Sequence, residues 1–304
     1  MPLSNNRDKE EVQIGFMKLL YQETSLEKKQ LGKRLTDSKV QIKIKDILRP
    51  FLSLLSKTRV HYKVIIENRC NLIPNHSVIY AANHFSFMDT PIICRSIPKR
   101  GYIFSGKQRL GFSDWLYFVL NGVIFVDRKS KEDMAASKET VISYLNKNCS
   151  IIMFPEGTWN LTDNALMMPM KWGIIDIAKE ANAQIVPVIL DYNRAEKICW
   201  VHFCEPLLFE NEIDKAVEIN RLRDIMSTVR FSYFERRKAS RKEMDIEAEK
   251  REQQYSIKEF PSIEWDYEIS CVYCPYSKSK DVFEHLKNIQ PTMQNAFLFN
   301  KRLK

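Results

Sequence analysis

A histidine and an aspartate stand five residues apart in AANHFSFMDT, residues 81–90. His84 and Asp89 are the residue types of a general base and of the carboxylate that orients it. A carboxylate accepting from one imidazole nitrogen sets the tautomer and leaves the other nitrogen to take a proton. Alone the pair is weak, because polar residues also flank ordinary turns. Ser86, three residues before Asp89, has the form of a capping box, whereas Pro91 suits a helix beginning nearer Asp89. With either boundary the chain turns between His84 and Asp89, so the two side chains can meet.

Three further stretches add to the pair. GVIFVDRKS, residues 122–130, ends an apolar run in Asp127 and Arg128. That places a guanidinium at a strand end, where it can fork onto a phosphate. IIMFPEGTWN, residues 151–160, follows an apolar run with a Pro-Glu-Gly-Thr turn, which can aim backbone N–H groups and a hydroxyl at an anion. QIVPVIL, residues 184–190, carries Pro187 inside an apolar run, which predicts a sheet edge or a strand end. Each has an ordinary strand end as its bland reading; all four in this order are much harder to obtain by chance.

The elements that must position these residues begin near residue 60. Apolar runs at 60–66, 77–82, 102–105, 123–126, 150–154, 184–189 and 198–203 read as strands, and 131–147 and 171–181 carry helical periodicity. Short strands alternating with helices predict an α/β fold: a central, mostly parallel or mixed sheet flanked by helices. His84 then lies where a buried strand delivers its carboxyl end to a loop, the edge at which ligands bind in such sheets. Upstream, Val12, Phe16, Leu19 and Leu20 have helical spacing, and residues 42–59 alternate Lys and Arg with Ile, Leu and Phe. This N-terminal amphipathic helical segment offers Ile44, Ile47, Leu48, Phe51, Leu52 and Leu55 to a membrane interface, or packs on the core with a solvated basic face. Beyond about residue 212 the chain reads as helical, and 235–254 is charged nearly all round.

The four stretches together resemble the four blocks of the glycerolipid acyltransferase family, which includes the bacterial 1-acyl-sn-glycerol-3-phosphate acyltransferases. Those blocks are Asn83-His84 with Asp89, Gly122 to Arg128, Phe154 to Thr158, and Ile185 to Val188. Lys107 in SGKQRLG and the stretch VHFCEP, residues 201–206, are similar to that family as well. The resemblance covers roughly residues 45–235. Together with the residue pattern it divides the chain into an N-terminal helical segment over 1–59, open to a membrane-interfacial role, an acyltransferase domain over 60–235, and a C-terminal extension of unassigned role over 236–304.

The resemblance implies that His84 takes the proton from an acceptor hydroxyl as that hydroxyl attacks an acyl thioester, with Asp89 stabilising the imidazolium. Lys107, Arg128, Glu156, Gly157 and Thr158 are then expected to bind the acceptor's phosphate. The acceptor is a lysophospholipid, lysophosphatidic acid first. A different lysophospholipid, glycolipid or aminolipid is the alternative, because Trp159 stands where many relatives carry a basic residue. The donor is acyl-CoA or acyl carrier protein, a substrate, so neither a cofactor nor a metal is implied. Cys271-x-x-Cys274 lacks the second pair of a zinc site.

A net charge of +9 points to an anionic partner or a well-solvated basic surface, and no nucleic-acid-binding motif accompanies it. The polar N-terminus lacks a secretory signal and the seven cysteines are scattered. The longest apolar stretch, residues 115–126, falls short of the roughly 20 residues that span a bilayer. The expectation is a peripheral protein on the cytoplasmic face of the cell membrane, bound to anionic lipid and not to nucleic acid.

Overall fold

The computed structural model describes residues 37–72, 77–106, 112–160, 166–194, 196–209 and 214–236. Lys107, the apolar pattern at 12–20, and Cys271 and Cys274 lie outside them.

The seven apolar runs all form strands of one sheet: β1 (Lys63–Glu67), β2 (Val78–Ala82), β3 (Gly101–Gly106), β4 (Val123–Val126), β5 (Ser150–Met153), β6 (Gln184–Asn193) and β7 (Ile198–Phe203). Their spatial order is β1-β7-β6-β2-β5-β3-β4. Neighbours run parallel except β6 and β7, which are antiparallel, so the sheet is mixed. The helices are α1 (Lys39–Arg59), α2 (Asp89–Ser96), α3 (Phe112–Asn121), α4 (Lys131–Asn146), α5 (Gly173–Glu180) and α6 (Lys215–Arg236).

Strand side chains alternate between two apolar layers, as the period of two requires. Ile79, Ala81, Ile151, Met153, Ile185 and Ile189 face one cluster with Val141, Ile175 and Leu222 from α4, α5 and α6. Val78, Tyr80, Ala82, Ile152, Val186 and Val188 face the other with Ile92 and Ile93 from α2. Every residue of β2 and β5 is buried, the signature of central parallel strands covered on both faces.

The expectation that Pro187 marks an edge or strand end is corrected. β6 lies between β7 and β2, with Pro187 paired to Ala81. The ladder towards β7 is interrupted at this point: Ile185 bridges Leu207, whereas Val188 pairs with Phe203, so residues 186–187 stand opposite 204–206. The Pro187 carbonyl accepts from Cys204 N on that side. Carbonyl and nitrogen of one strand residue face the same way, so the missing N–H falls where the ladder is already broken.

Helix α1 splits the amphipathic reading of its segment. Leu52 is 2% exposed and Ile42 packs against the core, while Val40, Ile44, Ile47, Phe51 and Leu54 are exposed. Those five recur at helical spacing and form one apolar stripe. The grouping of Leu52 with the lipid-facing residues is therefore corrected: Phe51 and Leu52 point to opposite environments. Arg49 donates to the carbonyls of Ile97 and Pro98, and Lys45 pairs with Asp37 at 2.7 Å, so both serve the fold.

Candidate active site

Strands β6, β2, β5, β3 and β4 run in one direction, so their carboxyl ends share one edge of the sheet. Asn83 and His84 follow β2, the Pro-Glu-Gly-Thr turn follows β5, Arg128 follows β4, and Tyr192 lies near the end of β6. Residues far apart in sequence thereby stand in one row.

Asn83 fixes where the loop leaves the sheet. Its buried side-chain amide donates to Leu190 O at 2.9 Å and its oxygen accepts from Leu190 N at 2.7 Å, mimicking one more step of backbone pairing to β6. The backbone of His84 is then gripped by the loop after β5. Its N–H donates to Glu156 Oε1 at 3.1 Å, and its carbonyl accepts from Asn160 N at 2.7 Å.

Helix α2 begins at Asp89, without a side-chain bond at its N-cap residue Met88. The capping-box pairing of Ser86 and Asp89 is nevertheless made just ahead of it: Ser86 Oγ accepts from Met88 N at 3.2 Å, and Asp89 reaches back to the Ser86 N–H. Asp89 Oδ2 accepts from Phe85 N at 2.6 Å and Ser86 N at 2.8 Å, and lies 2.8 Å from His84 Nδ1. Its other oxygen accepts from the Tyr192 hydroxyl. The carboxylate is fully buried.

The remaining imidazole nitrogen identifies the tautomer. Trp159 Nε1 lies 2.5 Å from His84 Nε2. An indole nitrogen can only donate, so Nε2 is the acceptor and Nδ1 carries the proton that goes to Asp89. This is the neutral form a general base needs. Phe154 stacks on the ring at 3.9 Å and Trp159 meets it edge-on at 5.6 Å. Burial holds the pKa of His84 below the ordinary histidine value; the hydrogen bond and charge of Asp89 oppose that shift, and the Arg128 guanidinium adds to it.

The expected anion-binding residues occupy three different settings. Arg128 lies against Gly106, where an added Cβ would come within 2.8 Å of its guanidinium, so glycine at the end of β3 makes room for it. The loop that carries it is tied by Asp127 N donating to Asp133 Oδ2 at 2.7 Å, with Ser130 capping α4. Glu156, by contrast, turns inward and is fully buried: its carboxylate accepts from His84 N and Met168 N and so braces two loops. Burial pushes its pKa up to about 7. Gly157 adopts φ +80° and donates its N–H to Phe154 O at 2.9 Å, closing the turn in a conformation that favours glycine. Thr158 is buried beside it.

Several neighbours of the site have no local signal in the sequence. Lys171 crosses the turn, its Nζ 3.1 Å from where a Gly157 Cβ would stand. Arg230, on α6, lies 3.7 Å over the Phe85 ring and donates to Leu166 O. Tyr192 could have been suspected, since it ends a buried strand on the functional edge. Nothing about Arg230 in its helical context distinguishes it from other charged residues of α6. Among the described residues no group of three His, Cys, Asp or Glu is arranged to hold a metal.

A general base must be neutral to act, so in that candidate role a depressed pKa would keep His84 competent to lower pH. The acid limb of kcat/KM is expected below the ordinary histidine range. Arg128→Ala removes a charge that opposes the imidazolium, so that limb should move to higher pH, with Arg128→Lys keeping it lower. An acid limb at the same pH in wild type and Arg128→Ala would show that the guanidinium does not act on the base.

Residues 63–191 match the family model described as Acyltransferase, a span that holds all four sequence blocks and Lys107. The chain is 32% identical over 136 residues to 1-acyl-sn-glycerol-3-phosphate acyltransferase alpha from Homo sapiens, covering 42% of this chain and 45% of that protein. It is 28% identical over 167 residues to the 1-acyl-sn-glycerol-3-phosphate acyltransferase of Borreliella burgdorferi, covering 54% and 63%. The chain thus spans about half the length of the curated relatives it matches. In fold it is similar to the crystal structure of the 1-acyl-sn-glycerophosphate acyltransferase from Thermotoga maritima, with a TM-score of 0.52 and 17% identity over 63% of this chain and 81% of that one. The resemblance read from the four blocks therefore holds.

Proposed function

We propose that this chain, built around an acyltransferase-type domain, transfers a fatty acyl group from an acyl thioester to the free hydroxyl of lysophosphatidic acid, giving phosphatidic acid. The observation that carries this reading is the His84–Asp89 pair, with its proton on Nδ1 and its lone pair on Nε2. The acceptor hydroxyl gives its proton to Nε2 while its oxygen attacks the thioester carbonyl. Asp89 stabilises the imidazolium so formed. The tetrahedral intermediate collapses with cleavage of the C–S bond, and the leaving thiolate takes the proton from His84. The donor is acyl-CoA or acyl carrier protein, and Arg128, with Lys107, Gly157 and Thr158, serves the acceptor's phosphate.

Trp159 in the place of a basic residue favours keeping a second acceptor class in view: another lysophospholipid, a glycolipid or an aminolipid. Incubating the protein with labelled acyl-CoA or acyl carrier protein and a panel of lysolipids, with products identified by mass, tests both. Phosphatidic acid as the preferred product supports the first reading. A neutral or amine-bearing product replaces it with the second.

Among the described residues no helix is long and apolar enough to cross a membrane. The exposed stripe on α1 nevertheless suits a lipid surface, because its apolar residues are flanked by exposed Lys39 and Lys43. We place the protein at the cytoplasmic face of the cell membrane, held by that stripe and by anionic head groups. Ile47 is 77% and Phe51 57% exposed. Replacing both by Ser is expected to weaken binding to anionic vesicles by about 10²-fold, at roughly 1.5 kcal/mol for each partly inserted side chain. Thermal stability should hardly change. Leu52→Ser should do the reverse, lowering stability by about 2–5 kcal/mol while the remaining folded protein still binds. Vesicle binding that survives the Ile47/Phe51 double change, or that does not weaken with salt, removes α1 as the anchor.

A further inference from the structure

The acceptor nitrogen of the base is already taken. A neutral imidazole offers one lone pair, and that of His84 Nε2 receives the Trp159 indole N–H at 2.5 Å. A second donor has no place to bind there. The ring has no freedom to present Nε2 elsewhere, because Asp89 holds Nδ1 and Phe154 stacks on the face. The His84 side chain is 16% exposed and Trp159 9%. Of the contacts that the described residues make with the ring, the indole alone covers Nε2; the others orient it.

We propose that Trp159 gates the base: its indole N–H occupies Nε2 until the hydroxyl of a bound acceptor takes its place. This rests on the reading of His84 as general base. The exchange replaces one hydrogen bond to Nε2 by another, so a well-placed hydroxyl displaces the indole at small net cost. The freed N–H then faces the incoming acceptor and can donate to one of its oxygens. A water molecule lacks the rest of the acceptor's binding contacts and competes poorly with the indole. The gate therefore suppresses hydrolysis of the acyl thioester, in which water forms the new C–O bond, the C–S bond breaks and the thiolate leaves with the proton. Trp159 stands next to the turn that meets the acceptor, so acceptor binding and uncapping of the base are coupled in one segment.

The test uses the full chain as wild type, Trp159→Phe, His84→Ala and the double variant. Trp159→Phe keeps an aromatic ring and deletes the donor. Hydrolysis of acyl-CoA without acceptor is expected to rise about two- to tenfold, the worth of one net hydrogen bond, and to vanish when His84→Ala is added. In protein with ¹⁵N-labelled histidine, the Nε2 resonance of His84 should shift and its pKa rise, since the lost donor favoured the neutral ring, with Asp89, Arg128 and Glu156 unchanged around it. The acceptor KM should fall while the effect on kcat stays smaller. Wild-type protein supplies a readout that needs no variant: lysophosphatidic acid without a donor should move the Nε2 resonance, and an analogue lacking the accepting hydroxyl should not. Unchanged hydrolysis together with an unmoved Nε2 resonance overturns the gate, as does a large loss of kcat at constant KM, which would make the indole a transition-state donor. Transfer that persists in folded His84→Ala instead overturns the base, a separate failure.

Discussion

Replacing His84 with alanine is expected to lower kcat/KM for the proposed acyl transfer by about 10²–10⁴, the range of a lost general base. The fold should persist, because the bonds that grip this position are made by its backbone. Its N–H goes to Glu156 and its carbonyl to Asn160, and neither needs the imidazole. The cost in stability is the loss of one hydrogen bond from each of Asp89 and Trp159, about 1–3 kcal/mol in all. Circular dichroism and a melting curve establish that the variant is folded, and initial rates over acceptor concentration give the loss. Near-normal turnover in a folded His84→Ala protein removes the mechanism.

Asp89→Asn should be impaired by at least about 10²-fold, for a reason the sequence alone does not supply. A triad amide that inverts the histidine tautomer costs about 10⁴ in kcat. Here Asp89 meets three donors on one oxygen, from His84, Phe85 and Ser86, and the Tyr192 hydroxyl on the other. An asparagine can keep its carbonyl towards the three and turn its NH₂ to Tyr192, whose hydroxyl accepts as readily as it donates. The tautomer is then retained and only the negative charge is lost. The acid limb should move to lower pH, because Asp89 raises the pKa of His84, while the rate falls at every pH. Asp89→Ala should match His84→Ala in rate and cost about 3–5 kcal/mol of stability, since buried donors are left unpaired. An Asp89→Asn variant with unaltered rate and pH profile would make the carboxylate purely structural.

The elements were legible because buried parallel strands announce themselves. Seven apolar runs became seven strands, and α4 and α5 arose where the helical periodicity lay. His84, Asp89, Arg128 and the Pro-Glu-Gly-Thr turn were legible for a related reason: each directly follows a strand or opens a helix, where backbone direction is set by local pattern. The misreadings came where a neighbour decides. Pro187 has the type of an edge residue, and nothing local reveals that the ladder to β7 breaks opposite it. Leu52 and Phe51 are adjacent apolar residues of one helix, and only the packing of α1 against the body separates the buried side chain from the exposed one.

By itself the sequence determined the seven strands and every helix but α3, the candidate base with its carboxylate, and the loops that carry the basic and turn residues. All of these depend on side-chain period and on residue types within a few positions. Tertiary structure decided which way each polar group points. Glu156 was expected beside the acceptor's phosphate, yet its carboxylate braces His84 and Met168 from within. Trp159 read as a missing cation, yet its indole N–H meets His84 Nε2. Lys171, Tyr192 and Arg230 enter the site from 14 to more than 100 positions away, through the segment before α5, the end of β6 and α6. Such contacts follow from the register of parallel strands and the docking of helices on the sheet. These set distances between segments that share no local pattern, so no window of sequence contains them.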